Sequence, residues 1–131
     1  MIVDASAILA IMLEEEDGDR LEDVLLKRSE HELFMSPVNY LEAAVRLDNL
    51  KNSRKGAELD NLLDDFGIDL LPVTMDQAKR ARKAYQRFGK GNHPAKLNLG
   101  DCFAYALAKA RGEPLLFKGD DFRKTDVEAA L

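Results

Sequence analysis

Asp4, Asp101, Asp120 and Asp121 each stand beside an apolar run, and Glu42 follows shortly after the pair Ser36-Pro37. Carboxylates in such places suit a hard divalent cation, because Mg²⁺ and Mn²⁺ prefer oxygen ligands and keep several waters. Acids that repel one another become tenable once an ion offsets their charge. Such an ion can position and polarise a phosphodiester and acidify a water for attack on phosphorus, while a spare carboxylate orients that water or takes its proton. A polyanionic substrate also needs cations. From Gln77 to Gly100 the chain has no acid and seven basic residues, Lys79, Arg80, Arg82, Lys83, Arg87, Lys90 and Lys96. Phosphate binding ordinarily leaves a basic footprint, and the net charge of -5 conceals this one. Acids for a metal and a basic flank for phosphates are together what a nuclease needs.

Each residue has an ordinary structural role as well. An aspartate after a strand is commonly an N-cap or turn residue, which covers Asp4 and Asp121. Asp101 near a helix start is favoured by the helix dipole, although apolar neighbours Cys102 and Phe103 set that start into the core, where an unpaired carboxylate is costly. Glu42 alone reads as a solvated helix residue. Arg80, Lys83 and Arg87 share one side of an amphipathic helix and read equally as a solvated face. His31 and His93 have no partner at metal-ligand spacing and are expected at the surface. Cys102 has no activating group near it in sequence and is expected in the core.

The elements that would position these residues alternate in the manner of an α/β domain with a mostly parallel sheet. Strands are expected at Met1 to Val3, Leu33 to Met35, Ile68 to Val73 and Pro114 to Phe117. Between them lie helical stripes: Leu21, Val24 and Leu25; Val38, Leu41 and Val45; Leu59, Leu62, Leu63 and Phe66; Ala78, Ala81, Tyr85 and Phe88. Ala5 to Leu13 and Asp101 to Arg111 are expected as further helices, the second largely buried. Ser36-Pro37 and Thr74 with Gln77 are helix starts, and Gly67, Gly89 and Gly112 are left-handed helix ends. In an open parallel sheet ligands bind outside the carboxyl ends of the strands. Asp4 follows its strand directly, Asp120 and Asp121 come shortly after the last strand, and right-handed crossovers start the helices of Glu42 and Asp101 near the same edge.

With 131 residues, 46% of them hydrophobic, the chain is expected to fold as a single domain over 1–131. One cysteine allows no internal disulfide. The apolar opening Ile2 to Leu13 is interrupted by Asp4 and followed by Glu14-Glu15-Glu16-Asp17, which reads as a strand entering a helix rather than a signal sequence. No run approaches the length of a membrane span, so a cytoplasmic protein is expected.

Four blocks in order resemble the PIN-domain ribonucleases, in particular the toxins of VapBC toxin-antitoxin pairs: Met-Ile-Val-Asp4-Ala-Ser6-Ala, Asn39-Tyr40-Leu41-Glu42-Ala43-Ala44, Leu97-Asn98-Leu99-Gly100-Asp101-Cys102, and Leu115 to Phe122. The resemblance implies a three-layer α/β/α sandwich and Mg²⁺-dependent endonucleolytic cleavage of RNA, with Mn²⁺ as a substitute. By position, Asp4, Glu42, Asp101 and Asp121 match the four acidic sites, Asp4 and Asp101 being direct metal ligands and Ser6 a supporting hydroxyl. Thr125-Asp126 matches a pair that often follows the last block. The resemblance also implies a homodimer and a VapB-type antitoxin. Relatives often carry Asn or Glu where this chain has Asp120, so Asp120 and Asp121 compete for one role; Asp121 aligns better, and Asp120 stays open as a supporting acid. Lys79, Arg80, Lys83, Arg87, Lys90 and Lys96 are the candidate RNA contacts.

Three other readings fit the residues less well. A phosphoreceiver would want an acceptor aspartate after a central strand, and Ile68 to Val73 is followed by Thr74. A degenerate PIN domain that only binds RNA is disfavoured by the filled acidic positions. A haloacid-dehalogenase-type phosphatase needs Asp-x-Asp after the first strand, which Asp4-Ala5-Ser6 lacks.

Overall fold

Four short parallel strands form the sheet, in the spatial order β3-β2-β1-β4: β1 Ile2–Val3, β2 Leu33–Met35, β3 Ile68–Leu70 and β4 Leu115–Leu116. The computed structural model describes residues 1–29, 31–51 and 53–131. Ile2 is in register with Phe34 on one side and Leu115 on the other, and Phe34 with Asp69 on the next strand. Strands two and three residues long suffice because side chains alternate between two cores. Val3, Leu33, Met35 and Leu116 enter one core, and Ile2, Leu115 and Phe117 the other.

The first core is closed by α1 Ala5–Met12, α2 Gly18–Leu26, α3 Pro37–Asp48 and α4 Lys55–Phe66. The second is closed by α5 Met75–Phe88 and α6 Leu99–Arg111, with Phe122 of a 3₁₀ turn at Phe122–Lys124. This is the expected α/β/α sandwich. The expected strands at Ile68 and Pro114 are both shorter than their apolar runs, for different reasons: beyond β4 pairing ends while burial continues at Phe117, whereas β3 runs out to the surface, with Leu70 and Val73 exposed.

Helix starts and stops follow local chemistry. Ser36 accepts a hydrogen bond from the Val38 N–H, Thr74 accepts one from Gln77, and Gly67 and Gly112 end α4 and α6 with left-handed φ of 68° and 63°. Gly89 does not follow that pattern: with φ -67° it leaves α5 in extended conformation, and its lack of a side chain instead relieves contact with the Tyr85 carbonyl and ring.

Two stripes are turned from the expected orientation. On α3 the inward face is Asn39, Ala43 and Leu47, whereas Leu41 and Val45 are 59% and 50% exposed. Ala43 is wholly buried on that face, and Asn39 beside it donates to the Gly100 carbonyl on α6. On α5, Ala84 is buried and Tyr85 exposed, its hydroxyl donating to the Lys90 carbonyl. Cys102 is a core residue, as expected. His93 is half-buried rather than at the surface, packed edge-on against Phe88 and accepting from the Ala95 N–H.

Candidate active site

The strand order changes direction at β1, because the chain passes from β1 to β2 on one side and arrives at β4 on the other. A crevice opens outside the carboxyl ends at such a point. Asp4 sits there as the N-cap of α1. It is buried, and its two oxygens have different tasks. Oδ2 accepts from the Ser6 N–H at 3.0 Å and the Ser6 hydroxyl at 2.6 Å; Oδ1 faces the Asn39 amide at 3.4 Å. Ser6 in turn accepts from the Lys118 N–H at 3.0 Å, which joins the exit of β4 to the first helix. The Lys118 side chain pairs with Glu15.

Asp101 divides its carboxylate in a similar way. It is the third residue of a reciprocal capping box in which its Oδ2 accepts from the Asn98 N–H at 3.0 Å and the Asn98 side chain accepts from the Asp101 N–H at 2.8 Å. No described donor engages its Oδ1. Capping and ligation therefore do not exclude each other here.

Glu42 reaches the same place from α3. Its Oε1 accepts from Asn39 Nδ2 at 2.9 Å, and the Asn39 amide also donates to the Gly100 carbonyl at 3.0 Å, next to Asp101. A Cβ on Gly100 would lie 2.1 Å from the Glu42 carboxylate, so the glycine makes the room that Glu42 fills.

Mutual repulsion runs round the group. Burial above all pushes Asp4 up to about 6, opposed by the Ser6 hydrogen bonds and assisted by the Glu42 charge. Burial likewise holds Asp101 at about 6, with the Asn98 N–H opposing and the charges of Asp4 and Asp121 adding. Glu42 is raised by burial, lowered by Asn39 and raised by Asp101. No cation is ion-paired with Asp4, Glu42, Asp101 or Asp121 among the described residues. An all-oxygen donor set carrying unbalanced negative charge fits a hard divalent cation. No three acids or imidazoles among the described residues converge on one point. An ion held here would take few direct ligands from the chain and the rest from water, as Mg²⁺ tolerates.

Asp120 and Asp121 are both exposed and separate in their surroundings. Asp121 precedes the 3₁₀ turn without capping it and bears electrostatically on Asp101. Asp120 lines a neighbouring groove with Asp17, Arg20, Lys118 and Arg123. Thr125 lies apart from the acids in its bonding: its hydroxyl donates to the Phe122 carbonyl at 2.6 Å and closes the turn. Asp126 accepts from the Tyr105 hydroxyl at 2.5 Å and pairs with Lys109 and Arg87, fastening the C-terminal segment to α5 and α6.

The basic residues do not form one patch. Arg80, Lys83 and Arg87 line a groove between α5 and α6 together with Lys109, a residue outside the basic window. Lys79 lies with Arg80, Arg82 and Lys83 along exposed α5, while Lys90 and Lys96 are on the loop that follows it. Asn39 and Gly100 are site residues to which residue chemistry assigned no role. The signal was present as spacing, since Asn39 and Glu42, three apart, share a helix face.

A family model described as PIN domain matches residues 1–128. Ribonuclease VapC30 of Mycobacterium tuberculosis (strain ATCC 25618 / H37Rv) is 45% identical over 127 residues, which is 97% of this chain and 95% of that protein. Among solved structures, Mycobacterium tuberculosis VapC20, a sarcin-ricin loop cleaving toxin, matches with TM-score 0.78 and 14% identity, covering 96% of this chain and 95% of its own. A toxin-antitoxin complex from Klebsiella pneumoniae matches with TM-score 0.70 and 17% identity, covering 95% and 92%.

Proposed function

This chain belongs to the PIN-domain family and, within it, to the VapC-type ribonucleases, and from that premise we propose that it is a Mg²⁺-dependent RNA endonuclease serving as the toxin of a type II toxin-antitoxin pair. The observation that carries the metal-dependent part is the set of mutually repelling acids at the β1/β4 edge, drawn from four separate segments and paired with no described cation.

In this reading Asp4 and Asp101 would hold the ion, which Mn²⁺ can replace. When bound, it offsets the acid charge, polarises the phosphodiester and eases deprotonation of the attacking water. Ser6 fixes the Asp4 rotamer through a short hydrogen bond to Oδ2. Glu42, its proton affinity raised by burial, is suited to accept a proton, and Asp121, open to solvent, helps to orient the attacking water. Asp120 has a supporting role at most.

RNA backbone would lie along the Arg80, Lys83, Arg87 and Lys109 groove, with Lys79, Lys90 and Lys96 adding long-range attraction. Phe88 is no candidate for base stacking, being buried against His93 and Tyr105. A VapB-type antitoxin, a homodimer and a cytoplasmic setting complete the proposal. No helix among the described residues is long and apolar enough to cross a membrane.

The test is cleavage of purified RNA with Mg²⁺ or Mn²⁺, with mapping of the new ends, in the wild type and in Asp101→Asn. Loss of roughly 100-fold or more in a folded variant is expected. Undiminished cleavage by that variant, or cleavage that persists in a chelator, would overturn the assignment.

A further inference from the structure

Asn39 occupies a position where an apolar residue would be ordinary. It leads the inward face of α3, followed one and two turns later by Ala43 and Leu47, and it has no solvent exposure. A buried amide is costly unless its hydrogen bonds repay desolvation. Its Nδ2 carries two hydrogens and faces three acceptors: Glu42 Oε1 at 2.9 Å, the Gly100 carbonyl at 3.0 Å and Asp4 Oδ1 at 3.4 Å. Its Oδ1 has no protein partner. Turning the amide over would set Oδ1 against two carboxylates and a carbonyl, so the orientation follows from the surroundings.

The three acceptors belong to three separate elements. Asp4 follows β1, Glu42 is on α3, and Gly100 lies in the first turn of α6 beside Asp101. The Gly100 carbonyl sits at the start of a helix, where the α-helical ladder already supplies it a donor four residues on. The Asn39 bond to it is therefore not needed to satisfy an orphaned backbone group. What the bond does is fix α6, and with it Asp101, relative to Glu42.

We propose that Asn39 is a positioning residue for cation binding: its single amide group holds Asp4, Glu42 and the start of α6 together, and so presets the spacing of the acids. Gly100 completes the arrangement by leaving space for the Glu42 carboxylate. Without the amide, like-charged Asp4 and Glu42 have no shared donor between them, and the ion itself must gather the acids. Partners that orient ligands in this way are typically worth about 10- to 100-fold in metal affinity or activity. The proposal rests on the reading of these acids as a cation site.

The experiment measures Mn²⁺ binding by calorimetry to wild type, Asn39→Ala and Asn39→Thr without RNA, alongside kcat and KM on a fluorescent single-stranded RNA. In folded Asn39→Ala we expect Mn²⁺ affinity to fall about 10- to 100-fold and kcat to fall at fixed subsaturating Mn²⁺, with KM for RNA within about threefold of wild type. Asn39→Thr, which keeps one donor, should fall between the two. If the alanine variant does not fold, the threonine variant decides, and wild-type Mn²⁺ affinity in it overturns the proposal. A lowered Tm in Asn39→Ala with Mn²⁺ affinity within about twofold of wild type makes Asn39 a core residue only and also overturns it. A wild type that binds Mn²⁺, loses it in Asn39→Ala, and yet cleaves no RNA supports Asn39 while removing the ribonuclease reading. A wild type that binds no Mn²⁺ overturns the proposal.

Discussion

Gly100 and Glu42 compete for the same space: a Cβ on Gly100 would stand 2.1 Å from the carboxylate carbon and both oxygens of Glu42. The atoms it meets are the far end of a flexible side chain, so Gly100→Ala can be accommodated by displacing Glu42. Within a helix, alanine is favoured over glycine by up to about 1 kcal/mol. We expect Gly100→Ala to keep or slightly raise Tm while RNA cleavage falls about 100-fold or more, the low end of what an oriented acid or base contributes. Thermal melts and cleavage rates on the same preparation check this, and unchanged cleavage would show that Glu42 need not stay where it is.

Stability without metal should depend on pH in an unusual direction. The Asp4 carboxyl is raised from 3.8 to about 6, mainly by burial, so the folded chain binds this proton more tightly than the unfolded chain. Its ionisation is then destabilising: the cost is absent below pH 4, grows as pH rises through 6, and reaches about 3 kcal/mol above that. Asp101, also raised to about 6, acts in the same sense. Metal-free Tm is expected to rise between pH 7 and pH 5. Glu113 and Asp126, both held below their usual values, reverse the trend in stronger acid. Adding Mn²⁺ should raise Tm more at pH 7 than at pH 5, because the ion replaces the protons. Differential scanning fluorimetry across that window is the measurement, and a metal-free Tm that climbs steadily from pH 5 to 7 would contradict it.

Ser6 links Asp4 to the exit of β4 through two hydrogen bonds of its hydroxyl. Ser6→Ala leaves the Lys118 N–H without that acceptor and removes a donor that stabilises ionised Asp4. A loss of about 1–3 kcal/mol in urea denaturation is expected, the cost of an unpaired partly buried group. Asp4 should also hold its proton more tightly, so the acid limb of the activity profile moves to higher pH. Ser6→Thr retains the hydroxyl and should recover most of both effects.

Much of the fold could be read from the chain because local rules were strong. The strand at Leu33–Met35, the caps at Ser36 and Thr74, and the left-handed glycines 67 and 112 depend on neighbours a few residues away. The rotation of α3 could not be read in that way. Leu41 and Val45 outrank Asn39 on any hydrophobicity scale, yet they face outward while Asn39 is wholly buried. Its acceptors, Asp4 Oδ1 and the Gly100 carbonyl, lie 35 and 61 residues away in the chain, and no local pattern encodes such a meeting.

The acidic residues bring both cases together. Residue types and order alone determined an α/β domain with a mostly parallel sheet and acids at strand exits and helix starts, since apolar alternation and capping preferences act over one or two turns. Whether Asp4 and Asp101 were caps or site residues was beyond local chemistry. Each caps with one oxygen; the other oxygen of Asp4 faces the Asn39 amide and that of Asp101 has no described donor, an arrangement that only packing reveals. Tertiary structure likewise separated Asp121, which bears on Asp101, from Asp120, which lines a groove with Arg20 and Arg123. Adjacent carboxylates look alike in a sequence, and charge interaction depends on distance through space.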